Sequence, residues 1–265
     1  WRTTHKYGIQ VPKTVKEALQ FDRENDNTYW ADAIKKEMSK AQVSYVPIDG
    51  VTPEQVRANQ VAELRGYQEI KCQIIFDVKM DFTRKARYVA RGDMTDTPVG
   101  LCYLSVVSRD SVRIAFLIAA LNDLDILACD ISNAYLNAPC RERIWFVAGL
   151  ECGKSLEGKV MKLVRALYGL KSSGASWRKM FKDHIVDKLE FTPSVVDPDM
   201  YYRRNVKADG TEYYELLLVY VDDVLACSHD PKGIMLGIAA KFDIKNDEIE
   251  EPKLYLGGNV EKFQL

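Results

Sequence analysis

The sequence predicts a mixed α+β protein, and three observations carry that prediction. Two apolar runs, Leu124–Ile131 and Leu216–Cys227, are interrupted only by aspartates and read as buried strands. Trp177, Phe181, Ile185 and Leu189, spaced by four, predict a helix over 175–189. Between residues 84 and 91, basic positions alternate with small or aromatic ones, as on a half-covered strand.

Composition narrows the class. The chain has 265 residues, 47% hydrophobic and 28% charged, ordinary for a globular protein of one large or two small domains. A net charge of −1 excludes a bulk nucleic-acid binder, so any contact with phosphates must come from local basic patches. No apolar run approaches the roughly 20 residues of a membrane helix. Cysteines at 72, 102, 129, 140, 152 and 227 form no Cys-x-x-Cys pair, and histidines 5, 184 and 229 join none of them, which predicts reduced buried thiols rather than zinc ligands. The chain begins with Trp1 rather than Met, which reads as a segment of a longer polypeptide; residues 1–26 read as a polar extension and 27–265 as the main body.

In chain order, a first helix is predicted over 28–41, with Trp30, Ile34, Met38 and Ala41 on one face and Asn27 or Thr28 as its cap. Residues 47–66 carry Pro47, Gly50, Pro53 and Gly66 and read as irregular. Strands at 71–80 and 84–91 flank a turn at Asp81-Phe82-Thr83. A helix over 110–121 should turn Val112, Phe116 and Ala119–Ala120 inward, and a strand then ends at Asp130. A short turn or helix at 133–142 breaks at Pro139, and a strand pair spans 143–165. After the helix at 175–189, strands are predicted at 200–205 and 213–227, the latter folded on itself. Asp230-Pro231 caps a helix to about 242, and a hairpin at 254–260 turns on Gly257-Gly258. The strands are expected to pair antiparallel, with helices grouped to one side.

Four constellations carry chemistry. In Leu216–Cys227, two adjacent acids, Asp222 and Asp223, sit between apolar flanks; a solvated turn explains the acids but not the flanks. Asp130 ends another apolar strand. Three carboxylates on two strand ends suit a pair of divalent cations, which take carboxylate oxygens and bridge phosphates; a strand-end cap explains Asp130 taken alone. Arg84–Arg91 puts Lys85, Arg87 and Arg91 on one face, suited to a triphosphate or merely to solvent. Ala166–Gly174, rich in small residues, opens a helix and lets backbone approach a ligand.

Taken in order, these segments resemble the reverse transcriptases of Copia-type long-terminal-repeat retrotransposons. Lys85–Gly92 is similar to the family's K-A-R-L-V-A-x-G, and Asp130–Leu136 to its D-x-x-x-A-[FY]-L. Leu167-Tyr168-Gly169-Leu170-Lys171 with Trp177 resembles L-Y-G-L-K-Q…W, and Tyr220-Val221-Asp222-Asp223 matches Y-V-D-D. Trp30, Ala33 and Glu37 fit W-x-x-A-x-x-x-E, and Tyr255-Leu256-Gly257 looks like F-L-G. The resemblance implies an RNA-directed DNA polymerase with fingers (about 27–110 and 137–175) and an antiparallel palm sheet backed by helices (about 111–136 and 176–265), the thumb partial or absent. It implies Asp130, Asp222 and Asp223 as catalytic acids, these and the Ile131 carbonyl as ligands of two Mg2+ ions, with Mn2+ able to substitute. It implies Lys85, Arg87, Tyr135, Tyr168 and Gly169 around the incoming dNTP, Tyr135 excluding a 2′-hydroxyl, and Leu256-Gly257 in a primer grip. Implied partners are an RNA or DNA template, a DNA or tRNA primer, and ribonuclease H and integrase elsewhere in one polyprotein. The implied location is a cytoplasmic virus-like particle with a nuclear phase, and no membrane.

Two departures stand out. Ser172 occupies the family's Gln position, and Asp81-Phe82 stands where Asp-Gly is usual. With no ribonuclease H, integrase or protease segment in view, they support an alternative: a catalytically inactive, transposon-derived fragment that keeps the fold. An unrelated metal-dependent nuclease would explain three acids but not the remaining motifs.

Overall fold

The computed structural model describes residues 4–96 and 105–263; Cys102 lies outside them. The chain forms two compact units, Trp1–Cys102 with Tyr135–Trp177, and Tyr103–Ala134 with Arg178–Leu265.

The first unit opens with a hairpin of His5–Lys6 and Ile9–Gln10 and a helix, Val15–Glu24, capped by the Thr14 hydroxyl accepting from Glu17 N–H. The extension is therefore packed structure, with Ala18 fully buried in the unit's core. The next helix, Tyr29–Ala41, buries the expected Trp30, Ile34, Met38 and Ala41. Its cap differs from expectation. Thr28 makes no capping bond, and Asn27 accepts only from Tyr29 N–H (3.2 Å). Asp22, from the preceding helix, takes the N–H groups of Trp30 (3.0 Å) and Ala31 (2.8 Å). A carboxylate at a helix start satisfies orphan donors and the dipole together.

Cys72–Val78 and Arg84–Ala90 form an antiparallel hairpin, Cys72 opposite Ala90 and Val78 opposite Arg84. A four-stranded sheet runs in the order Tyr45–Pro47, Val160–Leu163, Ile144–Val147, Gln68–Ile70. Its last pair is parallel, Gln68 beside Ile144, which corrects the expectation of purely antiparallel pairing. A three-residue strand carries too little periodicity to be read from sequence.

The second unit holds a five-stranded antiparallel sheet in the order Thr192–Pro193, Met200–Val206, Glu212–Tyr220, Asp223–Ser228, Asp125–Asp130. The helix Arg109–Leu121 packs Val112 and Phe116 against the unit's core and buries Ala119, as expected, together with Ser111 and Ala115, while Ala120 is exposed. Asp197 anchors the helix's first turn by accepting from Ser108 N–H (2.8 Å) and the Ser111 hydroxyl (2.5 Å). The helix Ser173–Asp187 buries Trp177, Phe181 and Ile185 as its spacing predicted, each burial contributing roughly 1.5–3 kcal/mol. Asp230 caps Pro231–Ala239 through Gly233 N–H. The last hairpin, Leu254–Tyr255 with Gly258–Asn259, turns on Leu256-Gly257 rather than Gly257-Gly258; both turn residues have positive φ (47° and 83°).

Candidate active site

The acids are assembled by strand register. Glu212–Tyr220 and Asp223–Ser228 pair so that Tyr220 faces Asp223, leaving Val221-Asp222 as a two-residue turn. Leu216, Leu217, Leu218, Val219, Val224, Leu225, Ala226 and Cys227 are all buried, which explains the apolar flanks: both strands lie inside the sheet. On its other edge Asp223–Ser228 pairs with Asp125–Asp130, and Asp223 sits directly opposite Asp130. Ile131 N–H donates to the Asp222 carbonyl (2.8 Å), tying the turn to the neighbouring strand's end. Asp130, Ile131, Asp222 and Asp223 thus meet at one end of one sheet.

Electrostatics mark the cluster. Burial, and then the charges of Asp222 and Asp130, push the Asp223 carboxyl up to about 6, opposed by Lys245. Lys245 donates from Nζ to Asp130 Oδ2, and that bond raises the ammonium's own pKa. Lys245 arrives because Ile131 bridges to Ile244 and Ser132 N–H donates to the Asp243 carbonyl (2.8 Å). Nothing in the sequence pattern singled out this lysine; it lies in the segment after the helix Pro231–Ala239, with no spacing to the acids. Beside the cluster lies a cavity of about 300 Å³ lined by Asp130, Asp223, Lys245, Glu250 and Tyr255. The Tyr255 hydroxyl is buried without a hydrogen-bond partner in the structure.

Divalent metal fits this donor set in chemistry. Hard oxygen ligands are present, their mutual repulsion is relieved by a cation, and a cation of the chain's own already sits on Asp130. Among the described residues, no group of three or more His, Cys, Asp or Glu side chains is gathered tightly enough to grip an ion.

A second set assembles within the other unit. On Arg84–Ala90, Ala86, Tyr88 and Ala90 are buried while Arg87 is exposed and Lys85 half-buried, as the alternation predicted. The Arg87 guanidinium lies 5.6 Å from the Tyr168 ring centroid, and that ring lies 4.8 Å from Tyr135. Ala90 N–H donates to the Tyr168 carbonyl (2.8 Å). Gly169 has φ +91°, and a Cβ there would fall 2.1 Å from the Ala90 carbonyl oxygen, so only glycine allows this approach. Arg87, Tyr135, Tyr168 and Gly169 are therefore one constellation.

Glu37, known from sequence only as a motif position, accepts from Tyr88 N–H (2.8 Å) on the basic strand. Burial raises its carboxyl, opposed by that bond and by Lys40, Arg87 and Lys85. Ser172 is buried, and its N–H (3.0 Å) and hydroxyl (2.7 Å) both donate to Glu142. Leu256 and Gly257 form the turn of the last hairpin, with Leu256 packed against the second unit's core.

The sequence profile described as reverse transcriptase (RNA-dependent DNA polymerase) matches residues 59–264. The chain is 29% identical over 181 residues to the transposon Ty1-NL2 Gag-Pol polyprotein of Saccharomyces cerevisiae, covering 66% of the chain and 10% of that protein. It is 26% identical over 250 residues to the retrovirus-related Pol polyprotein from transposon TNT 1-94 of Nicotiana tabacum, covering 89% of the chain and 17% of that protein. The chain thus spans less than a fifth of the length of either curated relative.

Proposed function

The chain belongs to the reverse transcriptase (RNA-dependent DNA polymerase) family, on its Copia-type retrotransposon branch, and from that premise we propose that it is a polymerase core that adds dNTPs to a primer 3′-hydroxyl on an RNA or DNA template. The observation that carries this reading is Asp130 opposite Asp223, with Asp222 in the adjoining turn and Asp223 pushed up to about 6 by its neighbours. On this reading the unit with the basic hairpin is the fingers and the unit with the acids is the palm.

Reverse transcriptases generally use Mg2+. Asp130, Asp222, Asp223 and the Ile131 carbonyl would hold it, or Mn2+ in its place; the chemistry supplied is activation of the primer hydroxyl and neutralisation of the leaving pyrophosphate. Lys245 must first leave Asp130. Lys85 and Arg87 bind triphosphate oxygens by charge-assisted hydrogen bonds. Tyr168 holds Arg87 from behind, Tyr135 excludes a 2′-hydroxyl, and Gly169 keeps backbone close to the basic strand. Leu256-Gly257 steadies the primer end. Such catalysis rests on positioning and electrostatics rather than covalent chemistry. The ribonuclease H and integrase partners, the tRNA primer, and the virus-like particle with its nuclear phase belong to this proposal. No helix among the described residues is long and apolar enough to cross a membrane.

Lys245 seated on Asp130, with no tight three-ligand group among the described residues, favours a second reading: a transposon-derived fragment that folds without polymerising. Primer extension on an RNA template with Mg2+ separates the two. The expected result is extension by the wild-type chain and its loss by a thousandfold or so in Asp222→Asn, with an unchanged circular dichroism spectrum. No extension by wild type, or full extension by Asp222→Asn, sinks the polymerase reading.

A further inference from the structure

Glu142 has no part in the polymerase reading, yet three segments of the first unit meet at its carboxylate. Oε1 accepts from Ser172 N–H (3.0 Å) and from the Ser172 hydroxyl (2.7 Å). Oε2 shares the hydroxyl of buried Thr95 (3.2 Å) with the Gly92 carbonyl (2.9 Å). Ser172 is itself the N-cap of the helix Ser173–Asp187, its carbonyl accepting from Ser176 N–H (2.9 Å). A carboxylate at that point satisfies an orphan donor and faces the positive end of the helix. Glu142 reaches 30 positions along the chain to Ser172 and 47 back to Thr95, so it joins segments that no local rule would join.

These segments form a seam. At one end Ala90 N–H donates to the Tyr168 carbonyl (2.8 Å); at the other Lys171 Nζ donates to the Thr95 carbonyl (2.6 Å). Between them only backbone fits: a Cβ on Gly92 would fall 2.1 Å from the Gly169 carbonyl oxygen. The buried Ser173 hydroxyl closes the loop on itself by donating to the Leu167 carbonyl (2.6 Å). With Glu142 gone, the Thr95 end of the seam would rest on one long lysine side chain, and the donors of buried Ser172 would lose their acceptor. What the seam carries is Gly169 and Tyr168, whose ring lies 5.6 Å from the Arg87 guanidinium.

We propose that Glu142 is a positioning residue of the nucleotide pocket: by clamping Ser172 to Thr95 it holds Tyr168 and Gly169 against the end of the basic strand. It touches no substrate and needs no metal. Its role at the pocket rests on the polymerase reading; the clamp itself rests on geometry alone. A fixed mount for the groups around a bound triphosphate raises affinity, because less ordering remains to be done on binding.

The test measures the clamp and the pocket separately, on the whole chain. Hydrogen exchange with mass spectrometry, run without metal or dNTP, follows the peptides around Ala90–Thr95 and Leu167–Ser173. In Glu142→Ala both should exchange about tenfold faster or more, the size of one lost charge-assisted hydrogen bond, while peptides of the second unit's sheet keep their wild-type rates. In primer extension the same variant should raise the KM for dNTP about tenfold and leave the KM for primer–template unchanged. Glu142→Gln should restore most of both losses, because its amide oxygen still accepts from Ser172 and its NH2 group can donate to the Thr95 hydroxyl. Ser172→Ala, which keeps the N–H bond, should fall between them and carries the test if Glu142→Ala melts early. Unchanged exchange across the seam, faster exchange spread over the whole chain, an unchanged KM for dNTP, or no recovery in Glu142→Gln overturns the role. A wild-type chain that extends no primer removes the polymerase reading alone, and the exchange comparison still decides the clamp.

Discussion

The two hairpins that carry the chemistry share a construction and differ in everything their tips present. Each is antiparallel and each places a non-glycine residue at positive φ in its turn, Phe82 at 62° and Val221 at 58°. The hairpin of Cys72–Val78 and Arg84–Ala90 shows solvent a basic face and an exposed aromatic tip. The hairpin of Glu212–Tyr220 and Asp223–Ser228 is buried along nearly its whole length and ends in acids. Its far end is locked as well: Glu215, 1% exposed, accepts from Arg203 (2.7 Å) and from the Ser228 hydroxyl (2.6 Å). One hairpin is built to collect charge from outside, the other to hold like charges together against their repulsion. A turn residue at positive φ caps an exposed aromatic tip in one case and enforces proximity of acids in the other.

The largest effect that would sharpen this contrast is on substrate binding. Lys85→Ala with Arg87→Ala should raise the KM for dNTP by about tenfold to a hundredfold, from the loss of charge-assisted hydrogen bonds, while kcat and melting temperature change little. Equal losses in KM for primer–template would break the division of labour between the hairpins.

Val221→Gly comes next. A β-branched residue at positive φ is strained by about 1–3 kcal/mol, so the variant should melt higher while its nucleotide addition falls, because the acids lose a rigid mount. Higher melting with full activity would mean that the strain has no part in holding Asp222.

The smallest effect is in pH. A carboxyl whose folded pKa is raised binds its proton more tightly folded than unfolded. Stability from Asp223 is therefore present below its ordinary value of about 4 and is lost as pH climbs through about 6. In metal-free buffer Asp223→Asn should melt above wild type at pH 7.5, with the gap narrowing below about pH 6 and closing by about pH 4. A gap that stays constant across that range would remove the charge cluster as the cause of the shift.

Legibility from sequence followed the length of each pattern. The helix stripe of Trp177, Phe181 and Ile185 and the apolar runs around Asp130 and Asp222 repeat over many residues, and the elements formed where the periodicity put them. The acids' convergence was legible only through the ordered motifs, since Asp130 and Asp223 are 93 positions apart (223 − 130) and no local rule joins them. What escaped were contacts made by single side chains across distance: Asp22 capping the helix at Trp30, Glu37 accepting from Tyr88, Lys245 on Asp130. None repeats, so none leaves a period to read. In Arg109–Leu121 the face of Val112, Phe116 and Ala119 was legible, while Asp197 accepting from the Ser111 hydroxyl was another single contact across distance.

The register that sets Asp223 beside Asp130 also sets an order of events during synthesis. The strand Asp125–Asp130 leaves the ribosome well before its partner Asp223–Ser228, and at translation rates of about 5–20 residues per second it waits roughly 5–20 s. Its other edge waits longer still, for Glu250, whose carbonyl accepts from Ala128 N–H (2.8 Å). During that interval Ile126-Leu127-Ala128-Cys129 is an apolar strand with both edges bare, the kind of segment that joins a neighbouring chain. Nascent chains crowded on one message would then be at greatest risk of coalescing through the very strand that later carries Asp130.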